Sequence, residues 1–571
     1  MFRRAIPFFL GLAVLLTAAS FVLADAPSEE HIKAMASPTI KADSAWMMIS
    51  TALVMLMIPG LALFYCGMVR RKNVLATMMH SMVALGIVGV YWLAIGYSLA
   101  FGKPVFTTDY GSFLGFSSDL VFLNGKNPDD MMPGTEIPVY LHMLYQGMFA
   151  IITPALISGA LAERIRFKPY CIFLILWITL VYCPLAHCVW AMDWWTGAAD
   201  AGTHAVGVLG KLGALDFAGG TVVHIAAGVS GLAAILILRK RLGCPEHAVH
   251  PNSMVLTLTG AGLLWFGWFG FNGGSGLTSG ALATSAFAAT QCAAAAGAVG
   301  WLFVEWWHRG KPTALGLASG IVAGLVAITP ASGYVYPWAG AIIGLASGVV
   351  CYIAVSAKPF LKYDDSLDAF GVHGVGGFLG AVLTGVFCNE WGYMRPPVGA
   401  NGLTAGGGFS PVLVQLGAAL ASAIFAFAVS YVLVKGIDLL VGFVVTREAE
   451  TEGLDRAEHG ETGFDFGYSY DTASLADNVE PRAAIVPPAG TGRFQIVVEG
   501  VTNGDLIHAW SEMCQPSASP APEFKAVYPF VTTVQGNRFK FRGGDQEAMK
   551  ANLQALFERT LKKPLRVKVE V

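Results

Sequence analysis

Charged side chains are scarce in this chain. They account for 13% of its 571 residues, whereas hydrophobic residues account for 55%. The mean hydropathy is +0.58. No block of basic residues indicates nucleic-acid binding, and a net charge of −2 does not favour it. The composition is that of a polytopic membrane protein.

The nine cysteines lack the spacing of a metal site. Most of them, including Cys66, Cys171, Cys183 and Cys351, fall inside apolar segments, so neither a disulfide framework nor a zinc site is indicated. The sequence also offers no nucleophile, metal set or cofactor-binding loop near its buried histidines. We therefore expect no cofactor, no metal and no enzymatic activity.

Long apolar segments recur through most of the chain. Eleven of them have membrane-spanning length. They cover 44–69, 74–100, 139–161, 169–190, 217–238, 253–271, 277–307, 313–330, 336–356, 367–388 and 410–445. The predicted fold is an all-α polytopic membrane domain over 43–446.

A further apolar run stands at the N-terminus. Arg3 and Arg4 precede it, and Val22-Leu23-Ala24 offers small residues at a cleavage site. We predict a cleaved signal peptide over 1–24, with an uncleaved first helix as the alternative. Cleavage would place the mature N-terminus outside the cytoplasm.

Basic residues occupy alternate loops between the apolar segments. The loops at 70–72, 164–168, 239–241, 309–311 and 358–362 hold most of them, whereas the other loops hold few. Because basic loops remain on the cytoplasmic side, this asymmetry also places the N-terminus outside and the C-terminus inside. We expect a multi-pass protein of the cell (inner) membrane.

Two apolar segments repeat one polar pattern. Asp216 precedes His224 in the fifth segment, and Asp368 precedes His373 in the tenth, with glycines around both histidines. Ionisable groups are costly in lipid and usually functional there. Each histidine could instead be packed and bonded to a carbonyl, and each aspartate could be a helix N-cap. Capping is the main role that we expect of both aspartates.

The predicted topology makes these two helices run in opposite directions. At about 1.5 Å per residue, both histidines then lie near the middle of a hydrocarbon layer about 30 Å thick. Segments one to five and six to ten would form two inverted five-helix repeats, followed by a final long helix. In such folds the site lies at the midplane between the repeats.

The composition of the chain changes from apolar to polar after the eleventh segment. Residues 447–490 are polar and read as a cytoplasmic tail and linker. Residues 491–571 predict a small soluble domain. Its strands are expected at 494–501, 524–534, 538–542 and 565–571, and its helices at 505–514 and 545–562. The order βαββαβ is that of a ferredoxin-like α+β domain.

Several motifs resemble those of the ammonium transporter (Amt/MEP/Rh) family, of the bacterial Amt type. The resemblance covers about 43–463 and includes the tail stretch 452–461. The motifs are the Asp216 to His224 run, Gly159-Ala-Leu-Ala-Glu-Arg-Ile-Arg-Phe167, Trp265-Phe-Gly-Trp-Phe-Gly-Phe-Asn272 and Phe370-Gly-Val-His373-Gly-Val375.

The resemblance implies a homotrimer whose protomers each contain a narrow apolar pore. It implies an outer ammonium-recruitment site and, beneath it, a gate of Phe149 and Phe271, with His224 and His373 lining the pore below. The recruitment residues are Trp190, Phe149, Ser275, Tyr145 and Asp216. Tyr145 stands where bacterial members commonly carry Phe, which puts only the fine selectivity there in doubt.

Two functions fit these residues. The first is ammonium transport, in which ammonium loses a proton at the outer site and ammonia crosses the apolar pore. The second is an ammonium sensor that signals through the C-terminal domain with little flux. In the family the cytoplasmic tail can meet a PII-type regulator. Residues 491–571 are not predicted to be a PII protein, because the turn near 535–537 is too short for the long PII loop. We interpret them as a built-in regulatory or protein-docking module, with a passive folded appendage as the alternative.

Overall fold

The computed structural model describes the membrane part of the chain and the core of the C-terminal part. The described ranges are 37–244, 251–389, 401–464, 493–499, 531–535, 538–542, 546–561 and 566–570, with the single positions 506, 510, 527 and 528. The chain divides into two compact units between Phe466 and Gly467. The predicted signal peptide, 1–24, lies outside the described residues.

Ten helices of the described residues are long and apolar enough to cross a membrane. They are α1 (Pro38–Met68), α2 (Arg71–Phe101), α3 (Val139–Leu161), α4 (Phe167–Trp190), α5 (Gly220–Ile237), α6 (Met254–Gly276), α7 (Ala281–Arg309), α9 (Pro337–Leu361), α10 (Phe370–Phe387) and α11 (Ser410–Val441). Most of the predicted spans are thereby confirmed, with shifts of a few residues at their ends.

The eighth predicted span is shorter than expected. It forms α8 (Ala314–Ile328), which has 15 residues rather than the roughly 20 that cross a bilayer unaided. Pro330 lies two residues beyond the helix end, and proline cannot continue a helix. From Ile321 to Ile328 every residue of α8 is buried among its neighbours, so this helix is enclosed by protein.

The two helices that carry the histidines share a local feature. Gly220–Ile225 at the start of α5 and Phe370–Gly374 at the start of α10 are π-helical turns, and they contain His224 and His373. Glycines bring the helices together, since a Cβ on Gly228 would overlap the Gly374 backbone and one on Gly377 would lie 3.0 Å from the His224 Cβ. Close crossing of this kind is typical of small residues in membrane helices.

The tail beyond α11 folds back on the membrane unit. Two short helices, α12 (Arg447–Glu452) and α13 (Leu454–His459), lie against the start of α2. The Asp455 carboxylate accepts the Ala76 N–H at 2.8 Å, and the Glu458 carboxylate accepts the Phe167 N–H at 2.9 Å. The acidic residues of the tail thus supply acceptors at helix starts.

A short hairpin lies between α2 and α3, where the sequence indicated only a long loop. It pairs β1 (Pro104–Thr108) with β2 (Gly111–Gly115) in antiparallel register.

The C-terminal unit contains a four-stranded antiparallel sheet and a helix. Its elements are β3 (Arg493–Glu499), β4 (Val531–Gln535), β5 (Arg538–Arg542), α14 (Gln546–Leu561) and β6 (Arg566–Glu570). The strand order is β4-β5-β3-β6. The prediction that a strand starts at 524 is wrong, because Val527 and Tyr528 are helical. Pro529, which cannot donate to a sheet, precedes the observed strand.

Candidate functional site

The two membrane histidines are in direct contact. His224 Nδ1 and His373 Nδ1 lie 3.3 Å apart, and the rings are nearly parallel, with centroids 5.3 Å apart and planes 18° apart. One nitrogen must donate and the other accept, so the pair shares a single proton between these atoms. Among the described residues, His224 Nε2 is buried and has no hydrogen-bond partner.

The histidine pair borders a narrow apolar cavity. Its free space is about that of one water molecule. Apart from the two imidazoles and the indole of Trp268, the lining side chains are apolar. The lining residues are Met57, Leu61, Phe64, Ile152, Leu156, His224, Leu264, Trp268, Phe271, Val322 and His373. Only a solute about the size of water fits this space.

Sequence reasoning missed the contribution of Trp268. Its ring stacks on His224, with centroids 5.4 Å apart and planes 18° apart, and its Nε1 donates to Thr329 at 2.9 Å. His224 is therefore held between Trp268 and His373. Trp268 belongs to the motif at 265–272. No spacing in the sequence showed which aromatic residue of that motif would contact His224.

Phe271, which lines the cavity, packs against a second phenylalanine, Phe149. The rings of Phe149 and Phe271 have centroids 4.3 Å apart, and both side chains are almost completely buried. His224 lies beside Phe271, and their ring centroids are 6.0 Å apart. The structure thus brings together the residues expected to form the gate and the pore.

Half-buried groups lie on the other side of the phenylalanines. The Trp190 ring meets Phe149 edge to face, with centroids 6.2 Å apart. Ser275 Oγ lies 3.2 Å from the Tyr145 hydroxyl, which also reaches the Gly270 and Phe271 carbonyls at 2.9 and 2.8 Å. Trp190 and Ser275 are partly exposed whereas Tyr145 is buried, so the first two are the accessible members of this group.

Asp216 sits behind Trp190 and caps α5. Its two carboxylate oxygens accept four backbone N–H groups, from Gly219, Gly220, Thr221 and Val222, at 2.6–3.0 Å. Its own carbonyl accepts the Trp190 Nε1–H at 2.7 Å. Burial raises the pKa of Asp216 to about 6, and the four N–H bonds oppose that rise. The carboxylate is therefore mostly ionised at neutral pH.

The expectation that Asp368 caps the second histidine helix is wrong. The capping acid is Asp365, whose oxygens accept the N–H groups of Ala369 and Phe370 at 3.1 and 2.8 Å. Asp368 pairs instead with the Lys358 ammonium. The loop places the Asp365 carboxylate at the free amides, whereas Lys358 bonds the Asp368 carboxylate and also donates to the Asp365 carbonyl at 2.9 Å.

A buried network of ion pairs fixes the loop that precedes α10. Arg164, fully buried, donates to the Asp364 carboxylate at 3.0 Å and to Ala160 O at 2.6 Å. Arg241 bonds Asp364 at 2.8 Å and Glu163 at 3.0 Å. Sequence reasoning counted these arginines as loop charges only. Ion-pair geometry of this kind depends on tertiary contacts that no local pattern reveals.

The fold and the site define a class of protein. An apolar cavity with free space for about one water molecule, bordered by aromatic rings and paired imidazoles, lies inside a bundle of helices long enough to span a membrane. Among the residues that the structure describes, no group of histidine, cysteine, aspartate or glutamate side chains could hold a metal ion. The arrangement is that of a membrane transporter for a small solute.

Comparisons with known proteins identify the family. Residues 45–464 match the model of the Ammonium Transporter Family. An ammonium transporter of Bacillus subtilis is 44% identical over 423 residues, which cover 74% of this chain and 98% of that protein. The Archaeoglobus fulgidus ammonium transporter Amt1 is 41% identical, with the same coverage of each chain.

Comparisons with solved structures point to the same family. Saccharomyces cerevisiae Mep2 matches with a TM-score of 0.63 and 34% identity, over 72% of this chain and 88% of that one. A structure titled Sensor Amt Protein matches with a TM-score of 0.64 and 27% identity, over 74% and 99%. The chain belongs to the Ammonium Transporter Family; it transports ammonium across a membrane and is not an enzyme.

Proposed function

We propose that this protein recruits ammonium at an outer aromatic site, removes one proton there, and conducts ammonia past the twin histidines. The observation that carries the proposal is the apolar single-molecule cavity, which has His224 and His373 at one side and the ring pair of Phe149 and Phe271 at its end. Polar groups lie on the outer side of the two phenylalanine rings, and apolar side chains line the cavity on the inner side. This order suits a solute that arrives as a cation and crosses the cavity as a neutral molecule.

The outer group has the chemistry to attract a cation. Trp190 and Phe149 present ring faces and edges, and cation–π attraction is strongest where the cation has lost water. Ser275 Oγ accepts an N–H, which separates ammonium from potassium because only ammonium donates hydrogen bonds. The Asp216 carboxylate adds a negative charge behind Trp190 and fixes its indole through the backbone carbonyl.

Loss of the proton follows from the cost of moving a charge into hydrocarbon. A full cation beyond Phe271 would lie among Met57, Leu264 and Val322, where an unpaired charge is very unfavourable. Ammonia is about the size of water and fits the free space. His224 Nε2, which is buried and without a partner among the described residues, can bond it, and the shared Nδ1 proton offers a relay for the proton left behind.

The proposal also covers the number and arrangement of the membrane helices, the oligomeric state and the orientation in the membrane. We propose eleven membrane helices, with α8 completing the count, arranged as two inverted five-helix repeats and a final helix. The matching π-helical turns of α5 and α10 support that symmetry. We further propose a homotrimer of the inner membrane with the mature N-terminus outside. The tail and a PII-type regulator, or the chain's own C-terminal domain, would act at the cytoplasmic face.

The C-terminal unit is proposed to be a ferredoxin-like regulatory domain. The strand order β4-β5-β3-β6, antiparallel throughout, supports that topology. The predicted first helix lies outside the described residues except for the helical positions Leu506 and Trp510.

A sensing function is the second candidate. The likeness to the structure titled Sensor Amt Protein and the additional C-terminal domain favour it. The experiment that separates the two measures ammonium-driven current in liposomes that contain the purified full chain. A saturable current that potassium does not produce is expected of the transporter. Ammonium binding with neither current nor uptake of ammonia would instead favour the sensor.

A further inference from the structure

One face of the C-terminal sheet is covered and the other is open. Helix α14 packs Met549, Leu553 and Phe557 against Ile496, Val498 and Phe539 of the strands. Since side chains alternate along a strand, the intervening residues point to the opposite face. Those described there are Gln495, Val497, Glu499, Arg538, Lys540, Arg566 and Lys568, which we call the open face.

The open face is basic. Its four cationic residues, Arg538, Lys540, Arg566 and Lys568, are all exposed, and two lie on β5 and two on β6. Its one acid, Glu499, pairs with Lys568 at 2.9 Å. The described side chains of this face therefore carry a net charge of +3.

The strand register makes these charges a flat array. Val497 on β3 pairs with Arg538 on one side and Lys568 on the other. Neighbouring strands are about 4.8 Å apart, so the backbones of the two cationic residues lie about 10 Å apart with a buried valine between them. A wide, shallow spacing of positive charge suits a surface of many anions better than a single small anion.

Two features of the chain indicate which anionic surface this is. The described open face has no aromatic residue, whereas sheets that bind single-stranded nucleic acid present aromatic rings for base stacking. In addition, only 28 residues, 465–492, separate this unit from the last described residue of the membrane unit. They span at most about 100 Å in any conformation, so the tether limits how far this unit can move from the bilayer.

We propose that the open face docks on the anionic phospholipid surface of the leaflet from which the tail emerges. The inference rests on the proposed cytoplasmic position of the C-terminus, because anionic lipids attract basic residues most strongly in that leaflet. Docking holds the domain beside the transporter while it remains tethered, and the tether supplies a high effective concentration for a weak interaction.

The test uses the full chain in nanodiscs of phosphatidylcholine alone or mixed with phosphatidylglycerol. A fluorophore attached after Val571 and an acceptor dye on the lipid report how close the domain lies to the bilayer. Close approach is expected only with phosphatidylglycerol, and it should fall as salt screens the charges. Lys540→Gln/Arg566→Gln should lower the docking constant about 30-fold, since each cation contributes about fivefold.

Lys550→Gln/Arg559→Gln is the matched control, because it removes two cations from α14 and leaves the open face intact. Equal docking on phosphatidylcholine alone would overturn the proposal in favour of a protein contact. Nuclease-sensitive nucleic acid on the purified chain, lost in the open-face variant, would overturn it in favour of nucleic-acid binding. Ammonium current measured on the same preparations tests the proposed transport separately, because the open-face variant should retain it.

Discussion

Replacing Asp216 by asparagine tests how far the cap of α5 supports the site. In Asp216, each carboxylate oxygen accepts two backbone N–H groups. Asparagine keeps one such oxygen in either orientation, and its NH₂ group then faces two N–H donors. Two buried amides lose their acceptor. A buried donor left without an acceptor costs about 1–3 kcal/mol, so Asp216→Asn should lower the free energy of unfolding by about 2–6 kcal/mol.

The same variant should also reduce ammonium flux. The Trp190 indole is held by the carbonyl of Asp216, so a shifted turn moves the outer site. Unfolding of the purified protein by denaturant in detergent, followed by tryptophan fluorescence, measures the stability change. Asp200→Asn is the control, since that side chain is 66% exposed and does not cap α5. A loss below about 1 kcal/mol for Asp216→Asn would refute the capping argument.

Three further predictions follow from other parts of the molecule. Cysteines introduced at 70–72 or 239–241 should resist labelling by an impermeant reagent outside intact cells, and labelling there would reverse the proposed topology. Truncation after Gly463 keeps the tail but should change how flux responds to ammonium or cytoplasmic metabolites; identical flux in cells and liposomes would contradict the regulatory function. Although burial opposes it, the guanidinium groups of Arg164 and Arg241 hold the pKa of Asp364 well below its usual value. The free energy of unfolding should therefore fall as the pH drops below about 4, and Asp364→Asn, measured by unfolding across that range, should flatten the dependence.

The helices and the histidine pair could be predicted because their signals are local. Apolar runs of spanning length give the helices, and a histidine in such a run is conspicuous because it is costly there. The likeness between the Asp216 and Asp368 stretches also indicated a shared site, and the contact of His224 with His373 shows that the two helices do meet.

Other features depend on tertiary contacts and left no local signal. The π-helical turns hold both histidines in place, yet no propensity distinguishes them from α-helix in the sequence. Asp365 and Asp368 differ as caps because the loop places the Asp365 carboxylate at the helix amides and the Asp368 carboxylate at the Lys358 ammonium. The length of α8 likewise reflects where protein encloses the helix, which hydropathy does not report.

His224 and His373 are proposed to line a pore that conducts ammonia and excludes potassium. The most direct measurement compares ammonium and potassium currents in liposomes for His224→Ala, His373→Ala and the control His308→Ala. His308 bonds Tyr352 and is not a lining residue of the cavity. Each pore variant should lose ammonium current or its selectivity over potassium while remaining folded, and the control should behave as the unmodified chain. Unchanged flux and selectivity in both pore variants would contradict the account.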